Sequence, residues 1–258
     1  MINLVGTEKQ RNWANQIIAK FAGLYPDINL PNQNSADWWI KHREATLDEL
    51  LAESTNASGQ INTVFTNQYP RYGRLDAMEA LDILGNNFIV LDLETTGLQA
   101  KEHEIVEIAI VHYKTRDVLL NTLVRPFNIA AYEKSKAREL HSINMNDVLE
   151  APTFLDLSSI IAGIISDNHC CIFNAAFDAP FLAYQYLKYG QDVPKITATC
   201  AMRLFTAFMN LSTNLSLETA CKIMGIDQDV NGKAHTALAD VLSTCDLLQA
   251  MRQMVELH

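Results

Sequence analysis

The chain has 258 residues, a formal net charge of −10 and 48 % hydrophobic residues, a make-up that fits a folded globular protein and excludes fibrous and disordered classes. The acidic balance argues against a protein that coats nucleic acid through general basicity, although bound cations can invert the field of an acidic site. No apolar run approaches the roughly 20 residues that a membrane-spanning helix needs, so no membrane association is expected. The start, MINLVGTEKQ, has neither a basic opening nor a long apolar stretch, and no secretory signal is read there. Cys170 and Cys171 are adjacent, Cys200, Cys221 and Cys245 are scattered, and no CxxC spacing occurs. An odd, unpatterned set of this kind suits a reduced, cytoplasmic protein.

The first 86 residues differ from the rest and hold all three tryptophans, Trp13, Trp38 and Trp39. Thr7 and Gln10 form a capping-box start ahead of an apolar stripe, Trp13, Ile17, Phe21 and Leu24, that predicts a helix. Thr46 and Glu49 open a second helical stretch, LDELLAES, and the polar segment that follows, up to Gly73, reads as a linker or loop. RLDAMEALDIL then predicts a short helix with Gly85 just past its end. Residues 1–86 are therefore expected to be a mainly helical extension or small domain, and 87–258 a second unit.

From residue 87 the pattern changes. FIVLDLE, EIVEIAIVHYK and DVLLNTLVR are strand candidates joined by short polar turns, which predicts an antiparallel meander. A helix is expected from Phe154 to Ile165, then an apolar strand, HCCIFN, then a helix from about Ala179 to Lys188 with Gly190 near its end. Further helices are expected near 199–209, 215–224 and 236–252. A meander followed by strand–helix units predicts an α/β fold, a mixed sheet with helices on its faces.

Two acids interrupt the first strand where it should end cleanly. Residues i and i+2 of a strand share a face, so Asp92 and Glu94 project side by side at its C-terminal mouth. Two adjacent carboxylates repel, and one takes up a proton unless a cation lies between them. Hard oxygen ligands suit Mg²⁺ or Mn²⁺. A pair of acids at a solvated strand end is the competing reading. Asp178, in NAAFDAPFL, falls just past the next apolar strand, where an acid is also a normal helix-capping choice. His235 and Asp240, in AHTALAD, lie at the front of the last helix. Five helical positions turn through about 500°, so the two side chains converge only if His235 lies on the loop before the helix. Gly232 suits such a loop.

DLETTGL, NAAFD and HTALAD, in this order, resemble the three motifs of the DEDDh exonucleases, the family of the proofreading epsilon subunit of bacterial DNA polymerase. IVEIAIV from Ile105, HSIN from His141 followed by EAPTF, and SLETACKIMGI from Ser216 add to the likeness, which spans about residues 87–252. One position departs from the family pattern: Ser142 stands where a glycine usually follows the histidine of the His141 segment. The resemblance implies a ribonuclease H-like, mixed five-stranded sheet flanked by helices. It implies hydrolysis of phosphodiesters from 3′ ends of single-stranded nucleic acid to nucleoside 5′-monophosphates, in a DNA repair or proofreading setting. Two divalent ions, Mg²⁺ or Mn²⁺, would be held by Asp92, Glu94, Asp178 and Asp240, with His235 as general base, since an imidazole exchanges protons near neutral pH. Thr95, Thr96, Gly97, Leu98, His141, Asn174 and Phe177 would meet the substrate. Two alternatives stay open. One is an exoribonuclease of the same family, because the motifs do not specify how a 2′-OH is read. The other is a polymerase-associated interaction subunit, with residues 1–86 docking a protein partner or a second copy and Trp13, Trp38 and Trp39 as anchors.

Overall fold

The computed structural model describes residues 74–256, apart from 142, 144, 233 and 234, together with 7, 8, 11, 12, 14 and 15. The tryptophans, the second N-terminal helix and the linker expected before residue 74 lie outside the described residues, and so does Ser142.

The sheet follows directly from the sequence pattern. Helix α1 (Arg74–Leu84) ends at Gly85, whose φ of 60° is the left-handed conformation glycine adopts without cost. Strand β1 (Ile89–Thr95) pairs antiparallel with β2 (Ile105–His112), and β2 pairs antiparallel with β3 (Val118–Leu123). Three short helices follow: α2 (Ile129–Glu133), α3 (Ala137–His141) and α4 (Met145–Glu150). Helix α5 (Phe154–Ser166) leads into β4 (Cys170–Ile172), which lies parallel to β1 on its other side. Helix α6 (Ala175–Lys188) then crosses to β5 (Ala198–Cys200), parallel to β4. The chain closes with α7 (Ala201–Phe208), α8 (Leu217–Ile223) and the long α9 (Ala237–Glu256). The strand order is β3-β2-β1-β4-β5, the expected mixed five-stranded sheet flanked by helices.

Two details differ from the residue-by-residue reading. Helix α6 begins at Ala175, four residues before the expected start, and Pro180 sits inside it. Asp178 therefore lies in the first turn, with Asn174 as N-cap. The fifth strand occupies Ala198–Cys200, inside the stretch read as the start of a helix near 199. Three residues are too few for strand alternation to show; pairing with β4 makes them a strand.

Alternate residues of β1 face two separate cores. Ile89, Leu91 and Leu93 pack with Ile161 and Ile165 of α5 and Phe181 and Leu182 of α6. Phe88 and Val90 pack on the opposite face with Ala77 and Leu81 of α1, Leu204 and Phe205 of α7, and Val241 and Leu248 of α9. Continuing that alternation, Asp92 and Glu94 point towards α9. The turn between β4 and α6 comes to the same end of the sheet, because β4 runs parallel to β1.

The layer that carries α6 is pinned by Tyr186, whose buried hydroxyl donates to the Ser158 carbonyl at 2.7 Å and whose ring meets Phe154 edge-on at 5.0 Å. Tyr186→Phe keeps the ring and removes that bond, leaving the Ser158 carbonyl only its place in the helical ladder of α5. It should cost about 1 kcal/mol, a fall of about 2–4 °C in the melting temperature of a domain of this size. Thermal unfolding checks this, and an unchanged midpoint would show that the bond contributes nothing.

Candidate active site

Asp92 and Glu94 sit at the end of β1, where a register shift between Glu94 and Thr95 breaks the ladder with β2. Such irregularities re-aim side chains at strand ends. Asp240, in the first turn of α9, joins them: one carboxylate oxygen from each of Asp92, Glu94 and Asp240 lies within 4.8 Å of the others. Asp178 comes from the other helical layer. It is 2 % exposed, its carboxylate accepts the Leu93 backbone N–H, and its Oδ1 has no hydrogen-bond partner.

His235 precedes α9 on the loop, as convergence with Asp240 requires. Its φ of 61° lies in the left-handed region, a conformation that costs a residue with a Cβ about 1 kcal/mol or more. The exposed imidazole lies at the rim beside Asp240, whose carboxylate accepts the His235 backbone N–H. His141, by contrast, is buried at 3 % exposure and stacks on Tyr132 with ring centroids 6.1 Å apart. Its Nδ1 accepts a long bond from the Ile143 N–H at 3.4 Å; the ring lies near the Thr95 carbonyl, but Nε2 makes no geometrically sound hydrogen bond. Burial, with Arg138 and His235 nearby, pushes its pKa down and keeps the ring neutral.

The turn after β1 is tightly built. Thr95 Oγ1 donates to the Gly97 carbonyl at 2.7 Å, and Thr96 exchanges contacts with Glu104 through both its backbone N–H (2.8 Å) and its Oγ1 (2.9 Å). The His103 ring packs under Gly97, where an added Cβ would come within 2.5 Å of it, so any larger residue would have to displace the imidazole. Leu98 is left 84 % exposed at the tip. Asn174 occupies the N-cap of α6, yet its side chain makes no capping bond. Phe177 is half-buried, packed on Phe181 at 4.9 Å.

One acid escaped the sequence reading. Glu107 of β2 lies opposite Glu94 in the antiparallel register, and its Oε2 accepts the Ala237 N–H at 3.1 Å. It thereby fastens the start of α9, between His235 and Asp240, to the strand that faces Glu94. The signal in the sequence is a lone acid within IVEIAIV, legible only once the register of β1 and β2 is known.

The electrostatics follow from crowding. Burial first, and then Asp178, Asp240, Glu94 and Glu107, hold the Asp92 carboxyl well above its usual range. Burial, Asp240, Glu107 and Asp178 push Glu94 from 4.5 to about 8. Burial raises Asp178 and Asp240 as well, with the His235 ring and backbone pulling Asp240 partly back. Converging hard oxygens, their mutual repulsion and a buried Asp178 oxygen without a partner behind them fit a divalent cation, whose charge offsets the repulsion and whose coordination suits carboxylate oxygens.

The fold and site have counterparts. A profile of the RNase_T family, described as "Exonuclease", matches residues 89–248. An uncharacterised exonuclease of Escherichia phage 186 is 32 % identical over 181 residues, covering 65 % of this chain and 89 % of that protein. The epsilon subunit of DNA polymerase III from Escherichia coli K12 is 28 % identical over 179 residues, covering 63 % and 70 %. The solved nuclease domain of 3′hExo, a DEDDh family member bound to rAMP, superposes with a TM-score of 0.50 at 16 % identity, over 66 % of this chain and 92 % of that one. The mixed five-stranded sheet flanked by helices is the fold this chain has in common with that nuclease domain.

A carboxyl whose folded pKa lies above its unfolded value holds its proton more tightly when folded. The metal-free protein is therefore most favoured below pH 4.5 as regards Glu94, and loses that contribution as pH rises towards about 8. In EDTA the melting temperature should fall between pH 5 and pH 8, and Mg²⁺ or Mn²⁺ should restore it at pH 8. Glu94→Gln should flatten the slope and raise the metal-free midpoint by about 2–4 °C for each kcal/mol of repulsion relieved. A pH-independent midpoint in EDTA would contradict the crowding described here.

Proposed function

Given that the chain belongs to the RNase_T exonuclease family and is an exonuclease of the DEDDh type, we propose that it trims single-stranded nucleic acid from the 3′ end, DNA foremost, releasing nucleoside 5′-monophosphates. The observation that carries this reading is the convergence of the Asp92, Glu94 and Asp240 oxygens within 4.8 Å, backed by Asp178 and open to solvent beside His235.

In this reading Asp92, Glu94 and Asp240 hold divalent cations, Mg²⁺ or Mn²⁺ and two in number, with Asp178 behind them. Bound cations would supply Lewis-acid stabilisation of the charge that develops on the phosphate and would make water a stronger nucleophile. The protein's own groups do the rest. His235, exposed at the rim beside Asp240, takes the proton of the attacking water on an imidazole nitrogen. Glu107 keeps His235 and Asp240 in place through the Ala237 N–H. Thr95, Thr96 and Gly97 form the rigid floor for the terminal nucleotide. Leu98 offers an apolar surface to its base, with Asn174, Phe177 and the neutral His141 along the wall.

Residues 1–86 remain, as a proposal, a region for a protein partner or a second copy, and 87–258 the nuclease domain. Helix α1 packs on the sheet of that domain through Ala77 and Leu81.

The test uses 5′-labelled single-stranded DNA and RNA of one sequence, each with Mg²⁺, with Mn²⁺ and with EDTA. A ladder shortening from the 3′ end, absent in EDTA and faster on DNA, is expected. His235→Ala should lower kcat about 10²–10⁴-fold, and Asp92→Asn should abolish the ladder. Faster loss of RNA would move the substrate to RNA; no shortening of either polymer would overturn the reading.

A further inference from the structure

Phosphates of a strand entering the centre face a cluster of carboxylates in a chain of net charge −10. Attraction of the strand upstream of its 3′ end must therefore come from cationic side chains close to the site. Three of the chain's 20 lysines and arginines fall within five residues, Lys134, Lys136 and Arg138, on and beside the connection between α2 and α3.

That connection borders a cleft of about 740 Å³ whose opposite wall is the turn after β1, with Thr96, Leu98 and His103. The two walls are bolted together. Ser135 Oγ donates to the Thr96 carbonyl at 2.6 Å and accepts the Ala137 N–H at 3.1 Å. Lys134 and Lys136 flank this anchor on either side. Both are exposed, and neither forms an ion pair with another described residue. The other basic groups nearby are committed elsewhere. Arg138 donates to the Glu133 carbonyl at 3.0 Å and lies over the Tyr132 ring, while Lys188 pairs with Glu104 at 3.1 Å. The uncommitted positive charge in the cleft thus resides on two lysines held at a fixed remove from the floor on which the terminal nucleotide would rest, while the exposed Glu102 carboxylate lies on the wall of the β1 turn.

We propose that this cleft carries the sugar–phosphate backbone of the strand on the 5′ side of its terminal nucleotide, with the ammonium groups of Lys134 and Lys136 meeting its phosphates. The inference rests on the exonuclease reading and extends it: affinity for a chain is built separately from the machinery that cleaves the last bond. Point-charge contacts to phosphate carry no sequence information, which suits trimming of any 3′ end.

The test compares two substrates, a single-stranded 20-mer and the p-nitrophenyl ester of thymidine 5′-monophosphate, which has a scissile phosphodiester but no upstream chain. For the double variant Lys134→Ala/Lys136→Ala, the ratio of kcat/KM on the 20-mer to kcat/KM on the ester should fall at least about five-fold. The slope of log(1/KM) against log salt for the 20-mer should become shallower by about 1.4, two contacts at about 0.7 each. Lys134→Arg/Lys136→Arg should retain both quantities. An unchanged ratio and salt slope in the alanine variant would overturn the proposal. Failure of the unaltered protein to hydrolyse the ester and the 20-mer alike would bring down the exonuclease reading, and this inference with it.

Discussion

Mutual repulsion among carboxylates is the constraint on which this structure turns. Asp92, Glu94, Asp178, Asp240 and Glu107 come from β1, α6, α9 and β2, and each is pushed above its ordinary pKa first by burial; neighbouring carboxylates raise Asp92, Glu94, Asp178 and Glu107 further, while His235 pulls Asp240 partly back. A fold that only needed stability would replace such a group with apolar residues, since buried charge without compensation is costly. The arrangement makes sense as a socket whose energetic deficit is cancelled when cations enter. The apolar cores on both faces of the sheet hold the carboxylates together against that repulsion.

Positioning is achieved by a few long-range bonds rather than by the acids themselves. Glu107 holds the Ala237 N–H and so sets the start of α9; the Leu93 N–H holds Asp178; Ser135 holds the Thr96 carbonyl. Each bond ties one functional segment to β1, to the turn that follows it or to the neighbouring β2, so that segments far apart in the chain share one rigid reference. The left-handed backbone at His235 is the local cost of placing an imidazole beside Asp240 instead of on the far side of the helix. Strain at one residue is small against the packing of a 20-residue helix whose apolar face is buried.

Much of the fold was legible because β1, β2, α5 and α9 are long enough for period and capping to show. Asp92 and Glu94 stood out because acids interrupt an apolar strand, and His235 because only a loop position lets it meet Asp240. The rest depended on contacts that no local pattern encodes. Strand β5 has three residues and exists through its pairing with β4. Helix α6 starts at Ala175, ahead of the expected Ala179, and accommodates Pro180 inside it. Glu107 looks like an ordinary polar position of an alternating strand until the register places it opposite Glu94. The cleft beside Leu98 arises from two segments about 40 residues apart, and Ser135, unremarkable in sequence, joins them.

The central claim is that carboxylates of the cluster, Glu94 and Asp178 foremost with values pushed up to about 8, hold protons at neutral pH in the absence of cations and surrender them when cations bind. Calorimetric titration of the metal-free protein with Mn²⁺ at pH 7.5, in two buffers of different ionisation enthalpy, measures that exchange directly. The account predicts an apparent binding enthalpy that differs between the buffers and corresponds to net proton release. Binding with identical enthalpy in both buffers, or no binding at millimolar Mn²⁺, would contradict it.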